Sequence, residues 1–196
     1  MTCIVGLLHD DEVYMGTDSA GFDQDLSITI RADAKVFRNG PFLIGFTDSY
    51  RMGQLLRYSF VPPEHPEGIT DMEYMITKFV EAVRKCLKDG GYARTKDGEE
   101  TAGLFLIGYR NRLYRADRDY HIGITLDPFC SVGCGAQIAH GAMYATKDKP
   151  PAERILLALQ AAERFSAGVR GPFVVMKLDS GTEHVKRAIL EVQNES

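Results

Sequence analysis

Residues 2–18, Thr2-Cys3-Ile4-Val5-Gly6-Leu7-Leu8-His9-Asp10-Asp11-Glu12-Val13-Tyr14-Met15-Gly16-Thr17-Asp18, place two apolar runs around a polar turn. Residues 3–8 and 13–17 read as successive strands, with His9-Asp10-Asp11 between them. Short strands that are mostly apolar belong to a sheet covered on one or both faces. The same stretch opens on a possible nucleophile. With Met1 removed, Thr2 carries a hydroxyl and a free α-amine on one residue, and the amine can serve as general base. Threonine is small enough for methionine aminopeptidases to remove the preceding Met. A retained Met1 would bury the amine in a peptide bond.

Outward from this stretch the apolar period changes in blocks. Residues 34–37 and Phe42–Phe46 flank Asn39-Gly40, a strong hairpin signal. Met52, Leu55, Leu56 and Ser59 follow helical spacing and should stop by Pro62-Pro63. A second helix, capped by Thr70 or Asp71, would bury Met75, Phe79, Ala82, Val83 and Cys86 and end near Asp89-Gly90-Gly91. The polar segment 90–100 reads as a surface loop. Strands return at 102–109, 113–116, 121–124 and 129–132. Gly133 is expected to open a helix reaching Ala145, and Pro150-Pro151 separates it from a last helix over 152–165. Phe173–Leu178 is a final clear strand, and the polar tail from about 180 holds one more candidate at 185–190. Strands grouped with strands and helices with helices argue against an alternating parallel fold. The expectation is an α+β chain, 1–196 as a single domain, built as a four-layer αββα sandwich.

Composition excludes several classes. The 196 residues are 44% hydrophobic and 26% charged, ordinary for a globular protein. A net charge of −4 gives no reason to expect nucleic acid or an acidic membrane as partner. No apolar stretch approaches the roughly 18 residues of a membrane span, and the first residues are no secretory signal. Cys3, Cys86, Cys130 and Cys134 are scattered, as free thiols in a reducing cytoplasm would be. No histidine stands at zinc-ligand spacing beside Cys130 and Cys134, and the five histidines form no HxH or HxxxH pair. No metal and no cofactor is expected.

Five short motifs, in order, carry a resemblance. Thr2-Cys3-Ile4-Val5-Gly6 opens the chain, and Gly16-Thr17-Asp18 places an aspartate sixteen residues after the threonine. Lys35-Val36-Phe37 runs into Leu43-Ile44-Gly45-Phe46. Ser131-Val132-Gly133-Cys134-Gly135-Ala136 and Glu163-Arg164-Phe165-Ser166-Ala167-Gly168 follow. Over roughly residues 2–178 the chain resembles the proteasome β-subunit and HslV branch of the N-terminal nucleophile (Ntn) hydrolases. Against that pattern Lys35 lies one residue late, which a one-residue insertion within 21–27 would explain. Cys134 stands in a serine's place, Glu163 in an aspartate's, and Ala167 in a glycine's.

The resemblance implies a threonine peptidase. Thr2 Oγ would attack a peptide carbonyl while its own amine takes the proton. Lys35 would favour a partly deprotonated oxygen and lower the amine's pKa by like-charge repulsion. Asp18 would hold Lys35 charged and oriented, Ser166 would hydrogen-bond the α-amine, and Glu163 would support that network from behind. Cys134 would support the site more weakly than a serine, because S–H is a poor donor. Around the oxyanion hole the family's glycine-containing pair is replaced by Thr47-Asp48-Ser49. Asp48 is unfavourable beside a developing negative charge unless it points away, and would otherwise select basic substrate side chains.

The resemblance also implies a homo-oligomeric ring acting on peptides or unfolded protein. The chain has no Gly-rich Lys-Ser/Thr phosphate loop, so an ATP-driven unfoldase would be a separate partner. Two other readings stay open: a non-catalytic ring subunit on the same fold, and an Ntn amidase acting on a small molecule. An N-terminal extension is expected of a non-catalytic α-type subunit, and Cys3 stands one position too late for a cysteine-first amidase.

Overall fold

The computed structural model describes residues 1–23, 25, 27–178 and 188–190. Its chain begins with strands β1 (Cys3–His9) and β2 (Glu12–Thr17), a hairpin β3 (Ala20–Phe22) and β4 (Ile28–Ile30), then β5 (Val36–Asn39) and β6 (Phe42–Phe46). Helix α1 (Tyr50–Gln54) passes into a π turn at Leu55–Ser59. Helix α2 (Asp71–Tyr74) passes through a second π turn, Met75–Phe79, into α3 (Val80–Asp89). A small hairpin β7 (Arg94–Lys96) and β8 (Glu99–Thr101) precedes β9 (Phe105–Tyr109), β10 (Arg112–Ala116), β11 (Ile122–Gly123) and β12 (Phe129–Gly133). Helices α4 (Ala136–Ala145) and α5 (Pro151–Phe165) lead to β13 (Phe173–Leu178) and β14 (Ala188–Leu190).

Two five-stranded antiparallel sheets form, ordered β12-β1-β2-β13-β14 and β11-β10-β9-β6-β5. Alternation along β1 shows how they stack. Cys3, Val5 and Leu7 face α4 and α5, packing with Ala139, Ile155, Leu159 and Ala162. Ile4, one position out of phase, joins Met15, Val36, Leu43, Leu106 and Val174 between the sheets. The second sheet turns its other face, with Phe42, Ile44 and Phe46, to Met52, Leu56, Phe79 and Val83 of the α1–α3 layer. The result is the αββα sandwich. With both faces of each sheet covered, strands must be apolar on both sides, which is why β1, β6 and β9 lack polar alternation.

Close approach between layers sets local identity. A Cβ on Gly16 of β2 would come within 2.2 Å of Ile155 Cγ2, so α5 lies on the sheet only because that side chain is absent. Thr70 starts α2 by accepting a hydrogen bond from Glu73 N (3.2 Å), as its capping residue type predicts. Asn39, beside the predicted turn, donates to Leu56 O (2.8 Å) and Phe60 O (2.9 Å), carbonyls at the π turn that a helix end leaves unsatisfied. Buried Arg154 of α5 does the same for α4, donating to Met143 O (2.8 Å).

Two local expectations change. The 90–100 segment is not a plain loop but contains the hairpin β7–β8, because Glu100 is pinned to α3 by Arg84 (2.6 Å) and Lys88 (2.7 Å). The helix expected at Gly133 opens at Ala136, since Gly133 ends β12 with φ +101°. The stretch read as a loop insertion at 21–27 sits in the β3–β4 hairpin. Of the 185–190 strand, only Ala188–Leu190 is described; the rest, and the polar tail, lie outside the described residues.

Glu100 carries a pH prediction. Hydrogen bonds from Arg84, then Lys88, pull its carboxyl from about 4.5 down to about 2. A carboxylate with a lowered folded pKa adds stability that is complete above the unfolded value and lost as pH falls toward the folded one. Thermal melts between pH 5 and pH 2 should therefore show a steeper fall in Tm for the parent chain than for Glu100→Gln; parallel curves would contradict this assignment.

Candidate functional site

The site forms where the ends of β1, β2, β5, β6, β12 and α5 meet. Asp18 follows β2 and is fully buried; Lys35 precedes β5 and is 1% exposed. Lys35 Nζ donates to Asp18 Oδ1 at 2.8 Å. The carboxylate also accepts Cys3 N at 3.0 Å on Oδ1, and Ala20 N at 3.0 Å and Arg170 N at 3.4 Å on Oδ2. Asp18 thus joins the peptide just after Thr2 to the starts of β3 and β5 and to the segment leaving α5. Burial pushes the Lys35 ammonium below lysine's ordinary value, with the attraction of Asp18 working against that shift. Because its folded value lies below its unfolded one, the charged form of Lys35 is less favoured in the fold than in the unfolded chain. That cost falls as pH rises toward the ordinary lysine range.

Thr2 is itself buried and lines a small cavity of about 50 Å³ with Lys35, Phe22, Phe46, Asp48 and Tyr50. Its Oγ1 donates to the Met1 carbonyl. Gly133 lies so close that a Cβ there would stand 2.1 Å from Thr2 O, in a backbone conformation that L side chains rarely adopt. Glycine at this position lets β12 reach the end of β1.

Beyond Gly133 the turn into α4 places Cys134 on Thr2. Thr2 N donates to Cys134 Sγ at 3.3 Å, and the thiol donates back to Thr2 O at 3.4 Å. Ser166, the residue ending α5, reaches Cys134 Sγ at 3.5 Å rather than the Thr2 nitrogen. The expected Ser166-to-amine contact is therefore replaced by a relay through sulfur, because Cys134 stands between the two groups. Glu163 also differs from expectation. Its Oε1 accepts Gly171 N at 2.8 Å, and its carbonyl accepts Arg170 Nη1 at 3.3 Å. It braces the turn whose Arg170 N reaches Asp18, and is not bonded to Ser166.

The segment after β6 is stitched to Leu104. Thr47 N (3.1 Å) and Thr47 Oγ1 (2.8 Å) both donate to Leu104 O. Asp48 adopts φ +64°, and its carboxylate accepts Leu104 N at 3.1 Å and Arg118 Nη2 at 2.8 Å. The carboxylate is thus already occupied by a cation of this chain, and a role in selecting basic substrates loses its basis. Ser49 N donates to Thr47 O (2.7 Å), and Ser49 Oγ caps α1 by accepting Arg51 N (3.1 Å). Ser49 Oγ is thus engaged as an acceptor at the helix start.

Residues 104, 118 and 170 carry no sequence signal as parts of the site; their partners are distant in the chain. Cys3 is fully buried and burial pushes its thiol far up, so it offers no thiolate. Among the described residues no group of three or more His, Cys, Asp or Glu side chains could hold a metal ion, and no helix is long and apolar enough to cross a membrane.

The pair should respond unequally to mutation. Lys35→Met leaves Asp18 with three backbone donors and should cost about 1–2 kcal/mol. Asp18→Ala strands those donors and a buried cation, and should cost about 3–5 kcal/mol. Urea denaturation of both variants checks the order; a larger loss for Lys35→Met would contradict it.

No protein-family model matches the sequence, and no curated protein matches it. Solved structures do. A BPH of Thiobacillus denitrificans in complex with epoxomicin superposes with a TM-score of 0.74 at 19% identity, over 92% of this chain and 100% of that one. The eukaryotic HslV of Trypanosoma brucei gives 0.64 at 17% identity, over 91% and 99%. Anbu, an ancestral β-subunit from Yersinia bercovieri, gives 0.66 at 16% identity, over 98% and 89%. The chain has the fold of the proteasome-like β-subunits of the Ntn hydrolases.

Proposed function

We propose that this chain is an N-terminal threonine peptidase subunit, with Thr2 as nucleophile once Met1 is removed. The observation that carries this reading is buried Lys35, ion-paired to Asp18, lining the same small cavity as Thr2. A lysine held below its ordinary pKa beside a hydroxyl is an arrangement suited to activating a weak nucleophile.

Thr2 Oγ forms a bond to a peptide carbonyl carbon, its proton passes to the freed α-amine, and the C=O electron pair moves onto oxygen. Collapse of that oxyanion breaks the C–N bond as the proton passes to the leaving nitrogen, giving an ester on Thr2. Water then hydrolyses the ester and restores the hydroxyl. Lys35 lowers the energy of the developing alkoxide, Asp18 orients Lys35, and Cys134 holds the Thr2 nitrogen. Ser166 acts on that nitrogen through Cys134, and Glu163 acts on Asp18 through the 170–171 turn. While Met1 is attached, the Thr2 nitrogen is an amide and has no basic lone pair to offer.

The fold supports assembly into a homo-oligomeric ring, with peptides or unfolded chains as substrates and a separate ATP-driven unfoldase as partner. A subunit that keeps Met1 in the assembled protein would instead fit the non-catalytic, ring-forming role. The buried, protonated Cys3 thiol argues against a cysteine-first amidase.

Hydrolysis of a fluorogenic peptide panel, set beside small-molecule amides, tests the proposal. Thr2→Ala should lose at least about 10³-fold in turnover while keeping the parent's circular dichroism. Epoxomicin, present in the Thiobacillus structure, should bind the trimmed parent and not the variant. Equal turnover by parent and Thr2→Ala would overturn the assignment.

A further inference from the structure

Asp48 sits where glycine's freedom would be expected, yet it adopts φ +64°, a left-handed conformation. Aspartate tolerates that region better than most L residues because its short carboxylate can bond nearby backbone. Here the carboxylate bonds across the fold instead, to Leu104 N at 3.1 Å, one residue before β9. Leu104 simultaneously accepts two bonds from Thr47. Its N–H and C=O therefore clamp the two residues that follow β6.

An account of the local N–H groups shows what this clamp leaves over. Thr47 N is used by Leu104 O, Ser49 N by Thr47 O, and Arg51 N by the Ser49 side chain. Asp48 N–H makes no hydrogen bond among the described residues, although Asp48 lines the Thr2 cavity. A backbone donor left open beside a nucleophile is available to an oxyanion.

We propose that Asp48 is a positioning residue: its carboxylate, bonded to Leu104 N, fixes the left-handed turn that presents its own backbone N–H to the oxyanion formed when Thr2 attacks. This rests on the peptidase assignment of Thr2. The same negative group that would oppose an oxyanion is turned to structural use, with its charge engaged by Leu104 N and Arg118. Of the two contacts the Leu104 bond is the decisive one. Arg118 is 60% exposed, and a solvated ion pair contributes little.

The test compares Asp48→Ala and Asp48→Asn in the chain trimmed to Thr2, using the best peptide of the fluorogenic panel. Asparagine keeps an oxygen for Leu104 N and tolerates the left-handed region; alanine does neither. Asp48→Ala should lower kcat by about 10–100-fold with KM within about threefold, and Asp48→Asn should stay within about threefold of the parent. A parent-like kcat for Asp48→Ala would overturn the proposal, as would an Asp48→Asn variant impaired as much as Asp48→Ala. Crystal structures of both variants read the turn without any turnover. Residue 48 should leave positive φ in Asp48→Ala and keep it in Asp48→Asn; an unchanged turn in Asp48→Ala would overturn the proposal. A parent that hydrolyses no peptide would count against the Thr2 assignment, leaving the clamp to be decided by those structures.

Discussion

The site depends on one buried carboxylate. Asp18 is fully enclosed and takes four donors, three from backbone N–H groups and one from the Lys35 ammonium. An ionised group in that environment is tolerable only with such partners. Its donors come from β1, from the starts of β3 and β5, and from the segment after α5. Once the carboxylate is satisfied, four separate pieces of chain are fixed around Thr2. The same carboxylate offsets part of the cost of burying Lys35.

The other half of the site depends on a substitution. A thiol at position 134 lies against Thr2 N, Thr2 O and Ser166 Oγ at 3.3–3.5 Å. Sulfur is larger and a weaker hydrogen-bonding atom than a hydroxyl oxygen. It keeps Ser166 in line with the Thr2 nitrogen but one atom removed from it. Cys134 is also exposed, so the group beside the future amine is open to solvent. On the opposite side, Asp48 replaces backbone freedom by a side-chain clamp. In the proposed mechanism the two substitutions bear on different parts of the reaction: one on the base, the other on the oxyanion.

Much of this was legible in the sequence, for identifiable reasons. Apolar runs without alternation at 3–8 and 42–46 announce strands covered on both faces, and β5 pairs with β6 around the Asn39-Gly40 turn as the hairpin signal implies. Thr2, Asp18 and Lys35 are readable through motifs that resemble those of a known family, and each stands beside the end of a strand. The remainder depends on contacts without local signature. Asp48 meets Leu104 and Arg118 across separations of 56 and 70 residues. Glu163 bonds Gly171 instead of the serine three residues on, because α5 ends at Phe165 and the chain turns back past it. The β7–β8 hairpin is polar throughout, so nothing in its apolar pattern distinguishes it from a loop; its anchorage is the Glu100 ion pairs.

The central claim is that Thr2 becomes the first residue and uses its own amine. Intact-mass analysis of the purified, assembled protein, with mapping of its N-terminal peptide, tests this directly. A chain lighter by one methionine residue, with a free threonine amine at its start, is the expected result. A chain that keeps Met1 in the assembled protein would contradict it, because the Thr2 nitrogen would remain an amide and could not accept the proton.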